Sequence, residues 1–355
     1  MSLEQYRKMI DDTDAQIVKL VAERIRQSKV IGKEKQKLGK RIQDVTREQQ
    51  VIANVRALAR REKINEKDIE AIFRQLIRLS KSAQGITVAF QGEMGAYSEE
   101  AAAQIFGNEV KAQPYETLDA VFQAVEGGEA IYGVVPVENS LEGSISRSYD
   151  LMLNSSLKAC GETELRVVHC LIANAGATLD SIKKVYSHPQ ALGQCGAFLR
   201  HLNAELIPGY DTAGSVKLIK EQGIKDGAAV AGARAAEIYG MKILARGIED
   251  NQNNYTRFFV LAREDAAPTG RDKTSIVFSV KHKPGALFSA LKAFAESKVN
   301  LTKIESRPTR QRAWEYNFYL DFEGHREDEV IKQVLEKVDK YCLFLKVLGS
   351  YPKAT

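Results

Sequence analysis

"NNYTRFFVLAR", residues 253–263, sets the fold class at the centre of the chain. Residues 258–261 form a continuous apolar run, which reads as a short buried strand. Thr256 and Arg257 interrupt its start. Thr suits strands and Arg keeps their ends soluble, so the pair is either ordinary edging or chemistry at the mouth of a sheet. Outward from it, residues 86–263 alternate short apolar runs with helical ones. "ITVAF" (86–90), "YGVVPV" (132–137), "KKVYS" (183–187) and "AAVAG" (228–232) are predicted strands. "SEEAAAQIF" (98–106) and "GSVKLIKEQ" (214–222) are predicted helices. That alternation predicts an α/β sheet with helices on both faces.

The flanks differ. Residues 1–84 carry no proline and no strand signature. Leu3, Ile10, Ile17, Ile31 and Leu38 recur every seventh residue, with Arg24 in the remaining place. A helix of about 35 residues would be about 50 Å long, and a second copy is the natural way to bury its stripe. Two shorter helices follow. Asp44 and Asn65 are their predicted N-caps, and Ile69, Ile72, Phe73, Leu76 and Ile77 form the stripe of the last. After "EDAAPTGRDK" (264–273), a predicted linker, comes strand 275–280, helix 286–297, strands 301–307 and 314–322, helix 327–341 and strand 344–350. This is the ferredoxin-like order. The expected domains are 1–84, 85–265 and 273–355.

With 355 residues, two or three domains are expected. No run approaches a membrane span, and "MSLEQYRKMIDDTDAQ" is too charged for a secretory signal. Cys160, Cys170, Cys195 and Cys342 lack metal or disulfide spacing, and the five histidines lack ligand spacing. A cytoplasmic protein without metal or redox cofactor is expected. Residues 1–84 hold 20 Lys/Arg against 12 Asp/Glu, or +8, which leaves −3 of the net +5 for the remainder.

The placement of those basic residues discriminates between partners. Arg24 and Lys35 are eleven residues apart and differ by about 20° around a helix. Both face the apolar seam. Arg47 precedes Val51, Val55 and Leu58 at helical spacing, with Glu48 beside it. Ser80 and Gln84 continue the stripe from Leu76. Nucleic-acid binding wants such charges outward, whereas inward charges suit a small polyanion enclosed by a bundle. The competing explanation is buried ion pairs with Asp14, Asp44 and Glu48, or snorkelling side chains.

"YRKMID", "ERIRQSKVIGKEK", "DVTRE" and "LSKSAQ" resemble the all-helical chorismate mutases. The resemblance implies an intertwined dimer in which Arg7 crosses to the partner's site. Arg7, Arg24 and Arg47 would hold the two carboxylates of chorismate. Lys35 and Gln84 would contact the ether oxygen. Asp44 and Glu48 would bind the ring hydroxyl, with Ser80 in support. A pericyclic rearrangement needs only a compact substrate and cations near a developing negative oxygen.

In the middle segment several strand-to-helix joints carry small or polar residues: Gly92, Gly95 and Ser98; Glu138, Asn139 and Ser140; His188 before Pro189; Asp211 and Thr212. Each alone is ordinary turn or cap chemistry. Together they offer helix N-termini to an anion, and their spacing is not a nucleotide fingerprint. "GEMGAYSE", "VPVENSLEGS", "SHPQALGQC", "DTAGS" and "NNYTRFF", in that order, resemble the prephenate dehydratases. That implies two α/β lobes around a cleft, similar to periplasmic binding proteins, and conversion of prephenate to phenylpyruvate. By the match to the Thr-Arg-Phe motif, Thr256 protonates the departing hydroxyl, Arg257 assists a substrate carboxylate and Phe258 adjoins them. Ser98, Asn139, Ser140, Ser187, His188, Gln190, Thr212 and Ser215 are the expected surroundings. His188 is either a second acid or a helix cap, and Cys195 is packing.

"KHKPGALFSALKAF" and "NLTKIESRPTR" resemble the ACT regulatory module. The resemblance implies a subunit-interface site for L-phenylalanine at Gly285, Ala286, Leu287, Asn300, Glu305, Ser306, Arg307 and Pro308. For the fold alone, Pro284-Gly285 is an adequate turn. The whole reads as a feedback-regulated bifunctional enzyme of phenylalanine biosynthesis, at least dimeric, with no nucleic-acid or membrane partner. The alternatives are an enzyme preferring arogenate, the amino analogue of prephenate, and a non-catalytic anion-binding regulator.

Overall fold

The computed structural model describes residues 2–37, 45–83, 85–108, 110–309 and 315–354. The chain divides into two compact units, residues 1–87 with 103–111, and residues 88–102 with 112–355.

The first unit is helical: α1 (Leu3–Lys37), α2 (Val45–Arg61) and α3 (Glu66–Ala83). Leu3, Ile10, Ile17 and Ile31 are half or more exposed in the single chain. The heptad stripe of α1 therefore faces outward over much of its length. On α2 the buried residues are Ile52, Val55 and Ala59, while Leu58 is exposed. The inward face is thus rotated from the expected Val51–Val55–Leu58 line, because α3 sets it: Glu70 of α3 is nearly buried and receives Arg56 Nε at 2.6 Å and Arg74 Nη2 at 2.6 Å. Arg47 accordingly lies exposed, donating to Gln50, and not inward. Asn65 caps α3 as its position predicts, accepting from the Lys67 N–H at 2.9 Å. Among the described residues no helix is long and apolar enough to cross a membrane.

The second unit holds three sheets, one in each of two α/β lobes and one in the ferredoxin-like segment, as the two-lobed and ferredoxin-like readings expect. Its first lobe runs β1 (Thr87–Gln91), α4 (Tyr97–Phe106), β2 (Lys111–Tyr115), α5 (Leu118–Gly127), β3 (Tyr132–Asn139), β4 (Gly143–Ser144), α6 (Ser146–Asn154) and β5 (Lys158–Arg166). The second lobe runs β6 (Cys170–Ala173), β7 (Lys184–Ser187), α7 (Pro189–Gln194), α8 (Gly196–Leu202), β8 (Glu205–Pro208), α9 (Thr212–Glu221), β9 (Gly227–Ala231), α10 (Ala233–Tyr239) and β10 (Lys242–Arg246). The chain then returns as β11 (Tyr255–Ala262) to the first lobe. The sheet orders are β2-β1-β3-β11-β5, with β4 on β3, and β10-β6-β9-β7-β8. β11 is antiparallel to β3 and β5 and buried on both faces, so its apolar run is continuous and not alternating. The lobes approach closely at Gly95, where φ is +88° and a Cβ would lie 2.6 Å from the Ala235 Cα. Only glycine fits there.

The C-terminal segment is β12 (Asp272–Val280), α11 (Ala286–Glu296), β13 (Leu301–Pro308), β14 (Tyr316–Glu323), α12 (Glu329–Asp339) and β15 (Cys342–Pro352), in sheet order β13-β14-β12-β15. One face buries Ile276, Phe278, Leu320 and Phe322 against its helices. The other face contributes Val277, Tyr319, Leu348 and Tyr351 to the core of the first lobe, with Tyr149 and Phe259. The expected linker is packed in place. Asp265 pairs with Arg326 at 2.8 Å and accepts from the Ser350 N–H, and Ala266 O accepts from His325 Nε2 at 3.1 Å.

Candidate active site

Between the two lobes lies a cavity of about 240 Å³. A wider opening of about 650 Å³ adjoins it past Gly143, Ser144, Pro189 and Gly193. Seven of the residues expected from sequence line the cavity: Ser98, Asn139, His188, Gln190, Thr212, Thr256 and Phe258. Ser140, Ser187 and Ser215 do not. Their hydroxyls donate to the backbone carbonyls of Asn253, Val230 and Asp211 at 2.7, 2.6 and 2.8 Å, and serve loop and helix structure.

Arg257 also departs from expectation. Side chains alternate across a strand, so Thr256 and Phe258 reach the cavity while Arg257 points to the opposite face of β11. There its guanidinium meets Glu162, Asp321 and Tyr351. It is not among the lining residues, and a role on a substrate carboxylate is not carried by this geometry.

The Thr256 hydroxyl has a defined electrical environment. Asn139 Oδ1 accepts from the N–H groups of Leu141 and Glu142 at 3.0 and 3.1 Å, which orients its amide. Its Nδ2 then faces Asn254 Oδ1 at 2.7 Å, Tyr255 O at 3.2 Å and Thr256 Oγ1 at 3.1 Å. Because Thr256 Oγ1 accepts, its own proton is left to point elsewhere. The same order propagates through the second lobe. Asn254 Nδ2 donates to Gln194 Oε1 at 2.9 Å. Gln194 Oε1 therefore faces His169 Nε2, 3.0 Å away, as an acceptor, and that nitrogen carries a proton. Tyr97 OH lies 3.0 Å from both His169 Nδ1 and Val168 O. Tyr97, His169 and Gln194 line the cavity and were not selected from sequence. Gln194 and Asn254 sit inside quoted motifs, but the bonds that give them meaning span 60 and 115 residues.

His169 is 2% exposed, and burial lowers its pKa from 6.5. The unfolded chain then binds the proton more readily than the folded one, so stability falls as pH drops from about 6.5 toward the lower folded value. The thermal midpoint of the wild type should decline over that window more than that of His169→Gln. Identical pH profiles would remove His169 as the source.

His188 adopts the cap geometry, its Nδ1 accepting from the Gln190 N–H at 3.3 Å. Asp211 caps α9 through the Gly214 N–H at 3.0 Å and also accepts from the Glu93 N–H of the first lobe at 3.3 Å. Burial raises its pKa. Glu93 in turn holds Tyr210 OH at 2.8 Å and Lys217 at 3.1 Å. These bonds latch the lobes together beside the cavity. Cys195 is fully buried in the second lobe's core, as packing.

In the helical unit, Arg24 and Ser80 are brought together. Arg24 Nη1 donates to Leu76 O at 2.8 Å and to Ser80 Oγ, and burial lowers the guanidinium's pKa. Arg7 is exposed, 17 residues away on α1, which is about 25 Å. Glu48 is half-buried on α2. Lys35 lies in α1, with only its backbone described, and Asp44 and Gln84 lie outside the described residues.

Family models match end to end: chorismate mutase type II over residues 6–85, prephenate dehydratase over 88–266 and the ACT domain over 274–340. A bifunctional chorismate mutase/prephenate dehydratase of Aquifex aeolicus is 39% identical across 99% of this chain and 98% of its own. The chain belongs to this family. It is an enzyme with a chorismate mutase and a prephenate dehydratase domain and a C-terminal ACT domain. An arogenate dehydratase/prephenate dehydratase of Arabidopsis thaliana is 46% identical over 79% of this chain and 76% of its own. The crystal structure of a prephenate dehydratase from Arthrobacter aurescens in complex with L-Phe matches with a TM-score of 0.70 and 32% identity, covering 76% of this chain and 90% of that one.

Within the ACT domain, Gly285 takes φ +78° at the N-terminus of α11, with Ala286 buried and Leu287 packed on the domain core. Asn300 Nδ2 donates to Glu323 at 3.2 Å. Alternation along β13 turns Ser306 and Pro308 outward and Glu305 and Arg307 toward the dehydratase domain. Glu305 accepts from Ser144 Oγ, and Arg307 Nη1 donates to Ser146 O at 2.8 Å and meets Asp150 at 3.3 Å. Ser144 lines the opening of the dehydratase cavity.

Proposed function

We propose that the chain rearranges chorismate to prephenate in its helical domain and converts prephenate to phenylpyruvate in the cleft between the lobes. In the second step the bond to the ring carboxylate breaks and carbon dioxide leaves. The electron pair enters the ring as the bond to the ring hydroxyl breaks, and that hydroxyl takes a proton and departs as water. The observation that carries the reading is Thr256 Oγ1, which accepts from Asn139 and so keeps its proton available at the cavity. A positioned donor is what an acid-promoted loss of water needs. Among the described lining residues there is no Lys or Arg, and Asp211 already caps the start of α9, so the substrate carboxylates would rest on the N–H groups at the start of α4, near Ser98.

In the mutase domain Arg24, Lys35, Arg47, Glu48, Asp44, Ser80 and Gln84 would act on chorismate. Arg7 would serve a second chain, since about 25 Å of rigid helix separates it from Arg24. The exposed heptad face of α1 supports a homodimer or larger assembly, and a cytoplasmic setting accords with this chemistry. Domain limits near 84 and 265–273 follow from the same division of labour. The ACT domain would bind L-phenylalanine and act through Glu305 and Arg307, which reach the edge of the cleft.

Purified protein given prephenate should form phenylpyruvate, at a rate that falls as L-phenylalanine rises to millimolar levels. Absence of product would sink the cleft assignment. Equal rates at all effector concentrations would sink only the sensor.

A further inference from the structure

Behind the dehydratase cleft lies a buried charge network that the reaction itself does not use. Arg257 is 8% exposed. Its Nε donates to Glu162 at 2.7 Å, Nη1 to Asp321 at 2.6 Å and Nη2 to Tyr351 OH at 2.9 Å. Glu162 also holds Lys273 Nζ at 3.0 Å, and Asp321 Oδ1 accepts from Ser275 Oγ at 2.5 Å. Two cations thus face two buried carboxylates, with the part-exposed Glu138 3.5 Å from Arg257 Nη1 as a third, and each buried charge has hydrogen-bonded partners, the condition under which it is tolerated. Glu162 belongs to the first lobe, whereas Lys273, Ser275, Asp321 and Tyr351 belong to the ACT sheet.

This network grips β11 at an irregular point. Thr256 and Arg257 pair with Asn139 and Glu138, but Phe258 pairs with Pro136, so the register shifts between Arg257 and Phe258. Pro136 brings no N–H to the ladder, and a bulge re-aims the side chains beside it. Glu138, across the ladder from Arg257, is itself held by Lys303 of the ACT domain at 3.0 Å. Asn139 and Thr256, the hydrogen-bonded pair at the cavity, each adjoin a residue anchored in the ACT sheet.

We infer that Arg257 is a positioning residue: tied to Asp321 and Tyr351, it pins the bulge that aims the Thr256 hydroxyl into the cavity. This rests on the reading of the cleft as the dehydratase site. The clamp sets geometry and touches no substrate, so its loss slows turnover without weakening binding.

The test uses the full-length chain and steady-state kinetics with prephenate, on variants that keep side-chain shape and lie outside the cavity lining: Asp321→Asn and Tyr351→Phe. Arg257→Lys, which keeps the charge but not the three-way fork, is the third. In the two shape-keeping variants kcat should fall roughly tenfold to a hundredfold, the scale of a small misplacement, with KM within about threefold. Mutase turnover should not change. A rise in KM at unchanged kcat in Arg257→Lys would place Arg257 on the substrate and overturn the inference. A lowered thermal midpoint with wild-type kinetics in all three would make the network merely structural and also overturn it. Wild-type rates in Thr256→Ala would likewise overturn it, since the hydroxyl being aimed would carry no proton, whereas wild-type protein that forms no phenylpyruvate would overturn the cleft reading on which the inference stands.

Discussion

Thr256→Ala should lower dehydratase kcat by about 10²–10³-fold, the usual consequence of removing one preorganised donor, while chorismate turnover stays at the wild-type level. The residue is 9% exposed and its Oγ1 is fixed by Asn139, so the alanine variant loses the hydroxyl together with one methyl group. KM for prephenate should move far less than kcat, because the hydroxyl acts on an oxygen that becomes basic only as its bond breaks. Thr256→Ser, which keeps the hydroxyl, should restore most of the rate. Stopped-assay measurement of phenylpyruvate from prephenate checks both. Equal rates in wild type and Thr256→Ala would assign the proton to another group of the lining, such as His188.

Arg24→Ala should produce the converse. Arg24 lies half-buried between α1 and α3 and already orders Leu76 O and Ser80. Removing the cation that would face a chorismate carboxylate costs about 2–5 kcal/mol, or roughly 30-fold to 5,000-fold in mutase kcat/KM. Dehydratase turnover should be unaffected, since that site is built entirely from residues of the second unit. Arg24→Lys should recover only part of the loss, because an ammonium cannot form the paired bonds of a guanidinium. Disappearance of chorismate by absorbance is the measurement. Loss of both activities in either alanine variant would contradict separate sites.

The legible parts of the fold were those whose burial is one-sided. In the ACT domain the switch between two- and 3.6-residue periods places every element within a few residues, because one face of each strand meets the helices. The first lobe was harder. β5 reads "KACGETELR", with Glu162 buried in it. A strand carrying such a charge looks like a loop until its cations appear, and these come from Arg257 and Lys273, about 100 residues on. The packing of the linker is hidden for the same reason: Asp265 looks solvated in sequence, yet its partner Arg326 lies in the ACT domain.

The site was legible as a set of motifs, and less so as a geometry. Alternation alone states that Thr256 and Phe258 share one face and Arg257 the other. It does not state which face holds the cavity, since β11 is buried on both. The amide chain from Asn139 to His169 was invisible because its links join residues 115, 60 and 25 positions apart in the sequence. In the helical domain Arg24 and Ser80 met as expected, whereas Arg47 lies outward in the single chain.

The most direct measurement supplies purified chain with chorismate and follows prephenate and phenylpyruvate separately over time. The account predicts that prephenate appears first, with phenylpyruvate following from the same protein without added metal or cofactor. A chain that leaves chorismate untouched, or that stops at prephenate, would contradict it.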